Sequence, residues 1–595
     1  MEKETTGEAR ARKGRGRGPE GEGDVAATRR EAHFDLLEKP WIPAIGADAR
    51  GVRVSVRGAL AQAHELRGIE HTSPLATLSL VRMLLAVLER ALGPATAAGL
   101  RTLEAEGRIR TGPGSPVGDY LGRTTALWDL FGDRPWMQSP DIPIRAVVTT
   151  AKFQPNDASG NNGTLQSHEV DRRPRALAAW EAACLLLAQH GWGFCGMIGS
   201  PYGLQSASAG PLNGLVLVWP TGESLFETLL RCRATAPPGM PWSGREDLPG
   251  WERPPLEGAA TPERAHTGLA DVYAFRSRQI LLLPDAAPGP DGEPTVSGVL
   301  LAEGERQLRG IQRAGWEPMA LMGGPGAKRP KATLKPKPKT KAGAEAAGKG
   351  AGEGEGAGDA PAPGLRAAEP APWSVAWPAA AALCLGADIP GHARAHVLGF
   401  LGTWHRAHGD LVALTMTEMQ SSNQLLHCWR ERRGTLPGAA LGDERVAARL
   451  GTALLAAKAG EDALITGSVV LQGQIRPGAQ KDKIKPNPAT LGRYWGSLED
   501  AWAALAAAVA AGAGTGADDA WRERCARMSL AAMEREAGRW IRGRDMRGRA
   551  EGQGAHRRVL AARYRDLGLD LYRALSGKAG REGEGEDGQG KEEVA

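Results

Sequence analysis

The tract from Gly324 to about Trp373 limits what this chain can fold into more than any other stretch. It carries Lys328-Arg329-Pro330-Lys331 and Lys335-Pro336-Lys337-Pro338-Lys339, then glycine with Lys and Glu from Gly348 to Gly358, then Ala/Pro from Pro361 to Pro372. Proline removes backbone donors, and neither half has an apolar period, so no packed core runs through such a sequence. The tract, 324–372, is therefore expected to be a disordered insertion or linker, whose basic half can hold a phosphate backbone loosely. The ends shorten the folded mass further. Residues 1–30 alternate charges with glycine, and 577–595 are acidic and glycine-rich, so both are expected to be unfolded tails.

Two blocks remain, 31–323 and 373–576. The first reads as mixed. Val52, Val54 and Val56 alternate with polar residues, as a half-buried strand would. Ser73-Pro74 opens a helix whose apolar face is Leu78, Leu80, Val81, Leu84, Leu85 and Leu88. Helical segments follow at Ala97 to Gly107 and Asp119 to Phe131, then a polar loop from Lys152 to Gly163. An apolar helical run, Arg175 to His190, leads into a long loop of glycine and small residues, Gly191 to Asn213. Beyond it come a strand at Gly214 to Trp219, a capping-box spacing at Ser224 to Glu227, and strands at Val272 to Leu283 and Val296 to Ala302. The second block reads as helical at Pro390 to Arg433, Asp443 to Gly460, Leu491 to Gly512 and Ala517 to Leu575. The fold class expected is α+β: a large mixed α/β N-terminal domain followed by a C-terminal antiparallel four-helix bundle.

The chain of 595 residues has a formal charge of +6, which permits an acidic partner without demanding one. Six cysteines stand singly and no CxxC pair exists, so neither a disulfide framework nor a cysteine zinc site is expected, and a reducing cytoplasm fits. The N-terminus has no apolar secretory core, and no apolar run is long enough for a bilayer, so no membrane partner is expected.

Gly191-Trp192-Gly193-Phe194-Cys195-Gly196 matches GxGxxG, which would make a dinucleotide-binding enzyme one reading. A pyrophosphate cradle needs a strand before it and a helix after it. Here a helix precedes and more loop is expected to follow. His392, His396, His405 and His408 are spaced along one expected helix, but no HExxH glutamate accompanies them, and no metal or other cofactor is expected. No GxSxG, Walker or deaminase signature occurs, so the chain lacks a catalytic apparatus and is not expected to be an enzyme. Lys481, Lys483 and Lys485, and arginines from Arg522 to Arg544, suit either phosphate contacts or an ion-paired surface. A scaffold binding only protein is the third reading.

The order of several segments resembles the large subunit of the type I-E CRISPR Cascade complex, the CasA family. These are FDLLEKPWIP at 34–43, GDRPWMQ at 132–138, SGNNGTL at 159–165 and SAGPLNGLVLVWPTGESLFETLL at 208–230, then WEPM at 316–319, NQLLHCWRERRGTLP at 423–437 and RYWGSLEDAW at 493–502. The resemblance implies a non-catalytic subunit that reads a protospacer-adjacent motif in double-stranded DNA and promotes duplex opening. Its implied partners are guide RNA, the other Cascade subunits and a helicase-nuclease. A backbone-directed grip with a small-residue loop and a side-chain wedge suits scanning and local unstacking.

Residue by residue, the resemblance places the family's glycine loop at Gly199, Ser200, Pro201, Tyr202 and Gly203. It places the glutamine wedge at Gln424, beside Asn423, with Gln420 as the competing position. The family's lysine finger falls where this chain has Arg306 or Arg309 and no lysine. The loop that contacts guide RNA and a neighbouring subunit resembles Phe153 to Asn162, including Asn161. The two cysteine pairs that bind zinc in some members are missing.

Overall fold

A computed structural model of the chain describes residues 28–29, 31–153, 175–237, 240, 244–260, 262–308, 316–323, 366–367, 392–393, 395–404, 411–422, 425–475 and 488–545. Nearly all of the expected N-terminal tail and of the 324–372 tract, the C-terminal tail and the end of the last helical segment lie outside them; within the expected N-terminal tail, residues 28–29 are helical and Arg29 is buried, donating to the Gly132 carbonyl at 2.9 Å.

The helix Pro74–Leu92 is the central element. Ser73 precedes it in extended backbone, proline occupies its first turn, and Gly93 ends it at φ 74°. Every residue from Leu75 to Glu89 is buried, so the expected one-sided apolar face is in fact a helix packed all round. Its two buried charges are both paired. Arg82 donates to Glu317 at 2.7 Å and to the Val272 carbonyl at 3.0 Å, and Glu89 accepts from Arg233 at 3.0 Å.

Around it, β1 (Ile42–Ile45) lies between β2 (Gly51–Val54) and β3 (Gly68–Ile69). Val56 does not continue β2 but opens a short helix capped by Ser55. The FDLLEKPWIP and GDRPWMQ segments meet in a tryptophan cluster. Trp136 packs against Trp41, Trp128 and Trp251 at 5.7, 5.8 and 6.1 Å between ring centroids. The Trp41 indole donates to the Leu36 carbonyl, so its one polar atom is satisfied in the core.

A second sheet joins β4 (Val148–Thr149) and β5 (Leu177–Ala178) to a later strand, Thr295–Glu303. The apolar run becomes the helix Ala179–Trp192. After it come β6 (Gly196–Ser200), β7 (Gly203–Ala207) and β8 (Val216–Thr221). Ser224 caps the helix Leu225–Cys232, accepting from the Glu227 amide, while the Glu227 carboxylate reaches back to the Glu223 amide rather than to that of Ser224. β9 (Glu263–Arg264) precedes β10 (Arg278–Pro284) and β11 (Thr295–Glu303), which pair antiparallel. β12 (Arg306–Gln307) runs parallel to β9. The two-residue strands β13 (Met322–Gly323), β14 (Arg366–Ala367) and β15 (His392–Ala393) form a small sheet.

The expected helix over Pro390 to Arg433 is overturned. Among the described residues of that stretch only His396–Trp404 is helical, and a long hairpin follows, β16 (Leu411–Ser422) and β17 (Leu425–Pro437). Leu, Met, Ala and Arg in this stretch favour helix locally, but β16 is flanked by β17 on one side and β8 on the other. Non-local pairing decided the outcome. It also builds one sheet from residues on both sides of the 324–372 tract, so a division at residue 373 cuts through it.

Beyond Pro437 the long elements are helices: Glu444–Ile475, Pro488–Gly496, Glu499–Ala510 and Gly516–Asp545. The Trp521 indole donates to the Ala453 carbonyl at 2.7 Å, Ser529 to that of Gly460 at 2.9 Å, and Tyr494 to that of Ala457 at 2.8 Å. Trp495 and Trp502 are both buried and sit on separate helices.

Candidate nucleic-acid interface

The expected loop from Gly191 to Asn213 is largely a two-stranded ribbon. β6 and β7 pair from Gly196↔Ala207 to Ser200↔Gly203, so Pro201 and Tyr202 form a two-residue turn. Proline presets the first turn position, and Gly203 takes the left-handed backbone, φ 101°, that closes it. The Ser200 hydroxyl donates to the Gly203 carbonyl at 2.9 Å and accepts from the Tyr202 amide at 3.1 Å. Tyr202 donates its hydroxyl to Gln279 at 3.3 Å, and burial together with the Asp141 charge pushes its pKa up.

The ribbon has two unlike faces. Ile198, Ser200 and Ala207 point inward, while Met197, Gly199 and Leu204 face out, Met197 being 53% exposed and Leu204 74%. Space beside Gly199 and Gly203 is open, with nothing within 4 Å of where a Cβ would stand. Backbone is thus presented outward at the turn, flanked by apolar side chains.

The base of the ribbon is held by buried charge. Arg278 donates to the carbonyls of Phe194 at 2.8 Å, Ser208 at 2.6 Å and Ser277 at 2.7 Å. Glu303 accepts from the Ser208 amide through both oxygens at 3.0 Å. The two side chains face each other at 3.4 Å. This settles the GxGxxG motif. A Cβ on Gly193 would stand 2.8 Å from the Arg278 guanidinium, and one on Gly191 3.1 Å from Leu212. The glycines are filled by the protein's own atoms, with a helix before them and a ribbon after, and this is not the geometry of a pyrophosphate cradle.

Arg306 lies against the same ribbon, donating to Glu303 at 2.9 Å and to the Ser206 carbonyl at 3.1 Å. It borders a cleft of about 180 Å³ lined also by Ser208, Pro211, Phe275, Glu305 and Gln307. Behind it, Arg264 bridges Asp271 at 2.6 Å and Glu305 at 2.8 Å. Burial alone would push the Asp271 carboxyl up, but Arg264 and His266 outweigh it and hold its pKa below the usual carboxylate range. Glu305 is likewise lowered against burial, by Arg264 and Arg276.

The second predicted element is the tip of the β16–β17 hairpin. Asn423 and Gln424 fall outside the described residues, between the paired positions Ser422 and Leu425. Gln420, the competing position, sits in β16 opposite Cys428, one residue before a bulge. The tip is fastened to the glycine-rich segment. Ser421 donates to Asn213 Oδ1 at 2.9 Å, Asn213 Nδ2 donates to the Gly193 carbonyl at 3.1 Å, and the Gly214 amide donates to Met419 at 3.3 Å.

Phe153 does not lie on a contact surface. Its ring is buried in the core, and its carbonyl accepts from Gln189 at 2.8 Å. The reason is its place in a short 3-10 turn, Thr150–Phe153, that closes on the helix Ala179–Trp192. Thr150 donates to the Arg175 carbonyl at 2.7 Å, so the ends of the segment 154–174 are tied together. Asn161 and Asn162 fall in that segment, outside the described residues; Arg309, elsewhere in the chain, also lies outside them. Sequence reasoning missed Arg278, Glu303 and Asn213, whose partners are remote along the chain and leave no local signature.

Of the spaced histidines, His396 is hydrogen-bonded to Thr235 at 3.0 Å and burial lowers its pKa. Among the described residues no group of three or more His, Cys, Asp or Glu is placed to hold a metal ion. No helix among them is long and apolar enough to cross a membrane.

Comparison with known proteins fits this arrangement. The family model for CRISPR-associated protein Cse1 (CRISPR_cse1) matches residues 35–532. A CRISPR-associated protein CasA/Cse1 of Thermus thermophilus is 36% identical over 275 residues, 44% of this chain. That match spans 52% of the relative's own length. Among solved structures, Thermobifida fusca Cse1 superimposes with a TM-score of 0.71 at 21% identity, covering 94% of this chain and 99% of that one. Acidimicrobium ferrooxidans Cse1 gives 0.66 at 22% identity, covering 92% and 98%. A chain of a CRISPR RNA-guided surveillance complex gives 0.67 at 20% identity, covering 90% and 100%. At such identities the structural likenesses establish the fold, mixed α/β with many helices and several small sheets. With the family model spanning most of its length, the chain belongs to the CRISPR-associated Cse1 (CasA) family.

Proposed function

We propose that this chain is the non-catalytic DNA-recognition subunit of a type I-E Cascade complex. It reads a protospacer-adjacent motif in double-stranded DNA, promotes opening of the duplex for pairing with guide RNA, and docks the helicase-nuclease. The work takes place in the cytoplasm, and the helices beyond Pro437 act as a four-helix bundle. The observation that carries this reading is the turn Ser200–Gly203. It presents backbone with open space beside Gly199 and Gly203, on a ribbon anchored by buried charge. A backbone edge free of side chains suits a narrow groove, where donor and acceptor patterns are degenerate and shape is read. The hairpin tip carrying Asn423 and Gln424 supplies the wedge beside it. Arg306 or Arg309 takes the finger position, and residues 154–162 meet guide RNA and a neighbouring subunit.

The test is co-expression of the full chain with guide RNA and partner Cascade subunits, followed by target-duplex binding with and without the chain. Gln424→Ala and Gly199→Glu are expected to weaken binding of motif-bearing duplex by about tenfold or more while sparing bare single strands. Wild-type duplex binding by both variants would remove the site assignment. No salt-dependent duplex affinity contributed by the chain, even inside the assembled complex, would favour the protein-only scaffold.

A further inference from the structure

Resting on that reading, we propose that Arg278 and Glu303 are the positioning pair of the duplex-reading ribbon and couple it to Arg306. Neither touches solvent appreciably: Arg278 is 3% exposed and Glu303 1%. Their bonds fall on both ends of the ribbon. Arg278 holds Phe194, just before β6, and Ser208, just after β7. Glu303 accepts from the Ser208 amide with both oxygens, and the Glu303 backbone amide donates to the Gln205 side-chain oxygen at 3.3 Å. The same carboxylate then binds Arg306, whose other nitrogen reaches the Ser206 carbonyl within β7.

One carboxylate thus joins three things: the ribbon's exit, the guanidinium that fixes its entry, and the arginine beside its outer strand. Within β6 and β7 only Ile198 is a large apolar side chain turned inward, and at the tip Tyr202 packs beside Ile142, Leu281 and Leu300, so packing holds the tip while the angle at the ribbon's base rests on other contacts. Charge-assisted bonds made in a buried setting are directional and set that angle. The turn at Pro201-Tyr202 and the Arg306 side chain therefore move as one unit. Motif discrimination depends on this unit, because a groove contact tolerates little displacement.

The experiment uses the full chain assembled with guide RNA and partner subunits, carrying Glu303→Gln, Arg278→Lys or Gly199→Glu. Gln keeps the shape of Glu303 but turns an amide donor toward Arg278 or Arg306. Lys keeps the charge of Arg278 but cannot span Phe194 and Ser208 together. Two readouts are taken: hydrogen exchange at the amides of 196–207, and the ratio of affinities for motif-bearing and scrambled-motif duplex. For both clamp variants, exchange in the ribbon is expected to rise and the affinity ratio to fall, each by about tenfold. Unchanged ribbon exchange overturns the clamp. Faster exchange with an unchanged ratio, while Gly199→Glu lowers it, overturns the positioning role and leaves the reading standing. An unchanged ratio in Gly199→Glu as well overturns the reading itself, and the proposal with it. Equal loss of affinity for both duplexes marks a merely structural role and also overturns the proposal. Should Glu303→Gln fail to assemble, Arg278→Lys carries the same readouts.

Discussion

At the scale of single residues, the glycines of the SAGPLN segment and those of the turn do different work. A Cβ on Gly210 would stand 2.5 Å from the Gly191 carbonyl, against backbone that cannot step aside. Gly210→Ala is therefore expected to destabilise the protein by about 2 kcal/mol, measured by denaturant unfolding. Gly199→Ala meets nothing and is expected to change stability by less than about 0.5 kcal/mol, so any loss of duplex binding would come from the surface it presents. Asp271 allows a pH prediction. Its folded pKa is lowered, so its contribution is present above the unfolded value near about 4 and lost as pH falls through the folded value. Asp271→Asn strands Arg264 without its bidentate partner and is expected to cost about 3 kcal/mol at neutral pH. The gap between variant and wild type should close below about pH 4, and a gap constant with pH would contradict it.

At the scale of elements, two hairpins meet through one side chain. Buried Asn213 accepts from half-buried Ser421 of the β16–β17 tip and donates to the Gly193 carbonyl. Asn213→Ala removes these bonds and takes a donor away from the Gly193 carbonyl, at an expected cost of about 2 kcal/mol. Exchange at the Ser421 to Leu426 amides should rise more than the global loss explains. The β16–β17 hairpin was the least legible element. Its Leu, Met, Ala and Arg read as helix, and nothing local in the sequence marks the pairing with β8 that decides against it. By contrast, the helix Pro74–Leu92 was legible at its start, because proline and a preceding serine are local signals. The ribbon β6–β7 read as loop because glycine and serine carry little strand propensity, and only pairing made it a strand.

At the scale of the whole molecule, the sheet β17-β16-β8 binds the two sides of the basic tract together. A fragment ending at residue 323 leaves β8 with an unpaired edge and uncovers Val216 and Val218, which are buried in the full chain. Residues 31–323 expressed alone are expected to aggregate or melt without a sharp transition. Co-expression with 373–576 should restore a soluble, cooperatively melting pair, and a fragment that folds alone would contradict this.

Local sequence was enough to say where the central helix starts, that the first block mixes helices and strands, and to which family the chain belongs. Each is written in composition, capping or an ordered run of motifs. The fold was needed to show that the glycine-rich stretch is a ribbon, that the GxGxxG glycines are packed by Arg278 and Leu212, and that Glu303 ties the ribbon to Arg306. The ribbon pairs locally and was hidden by its weak strand propensity, but its hold by Arg278 and Glu303 depends on partners some seventy to nearly a hundred residues apart. Pairing and buried charge at such separations leave no periodicity in the chain, so they become visible only when folding brings the partners within hydrogen-bond reach.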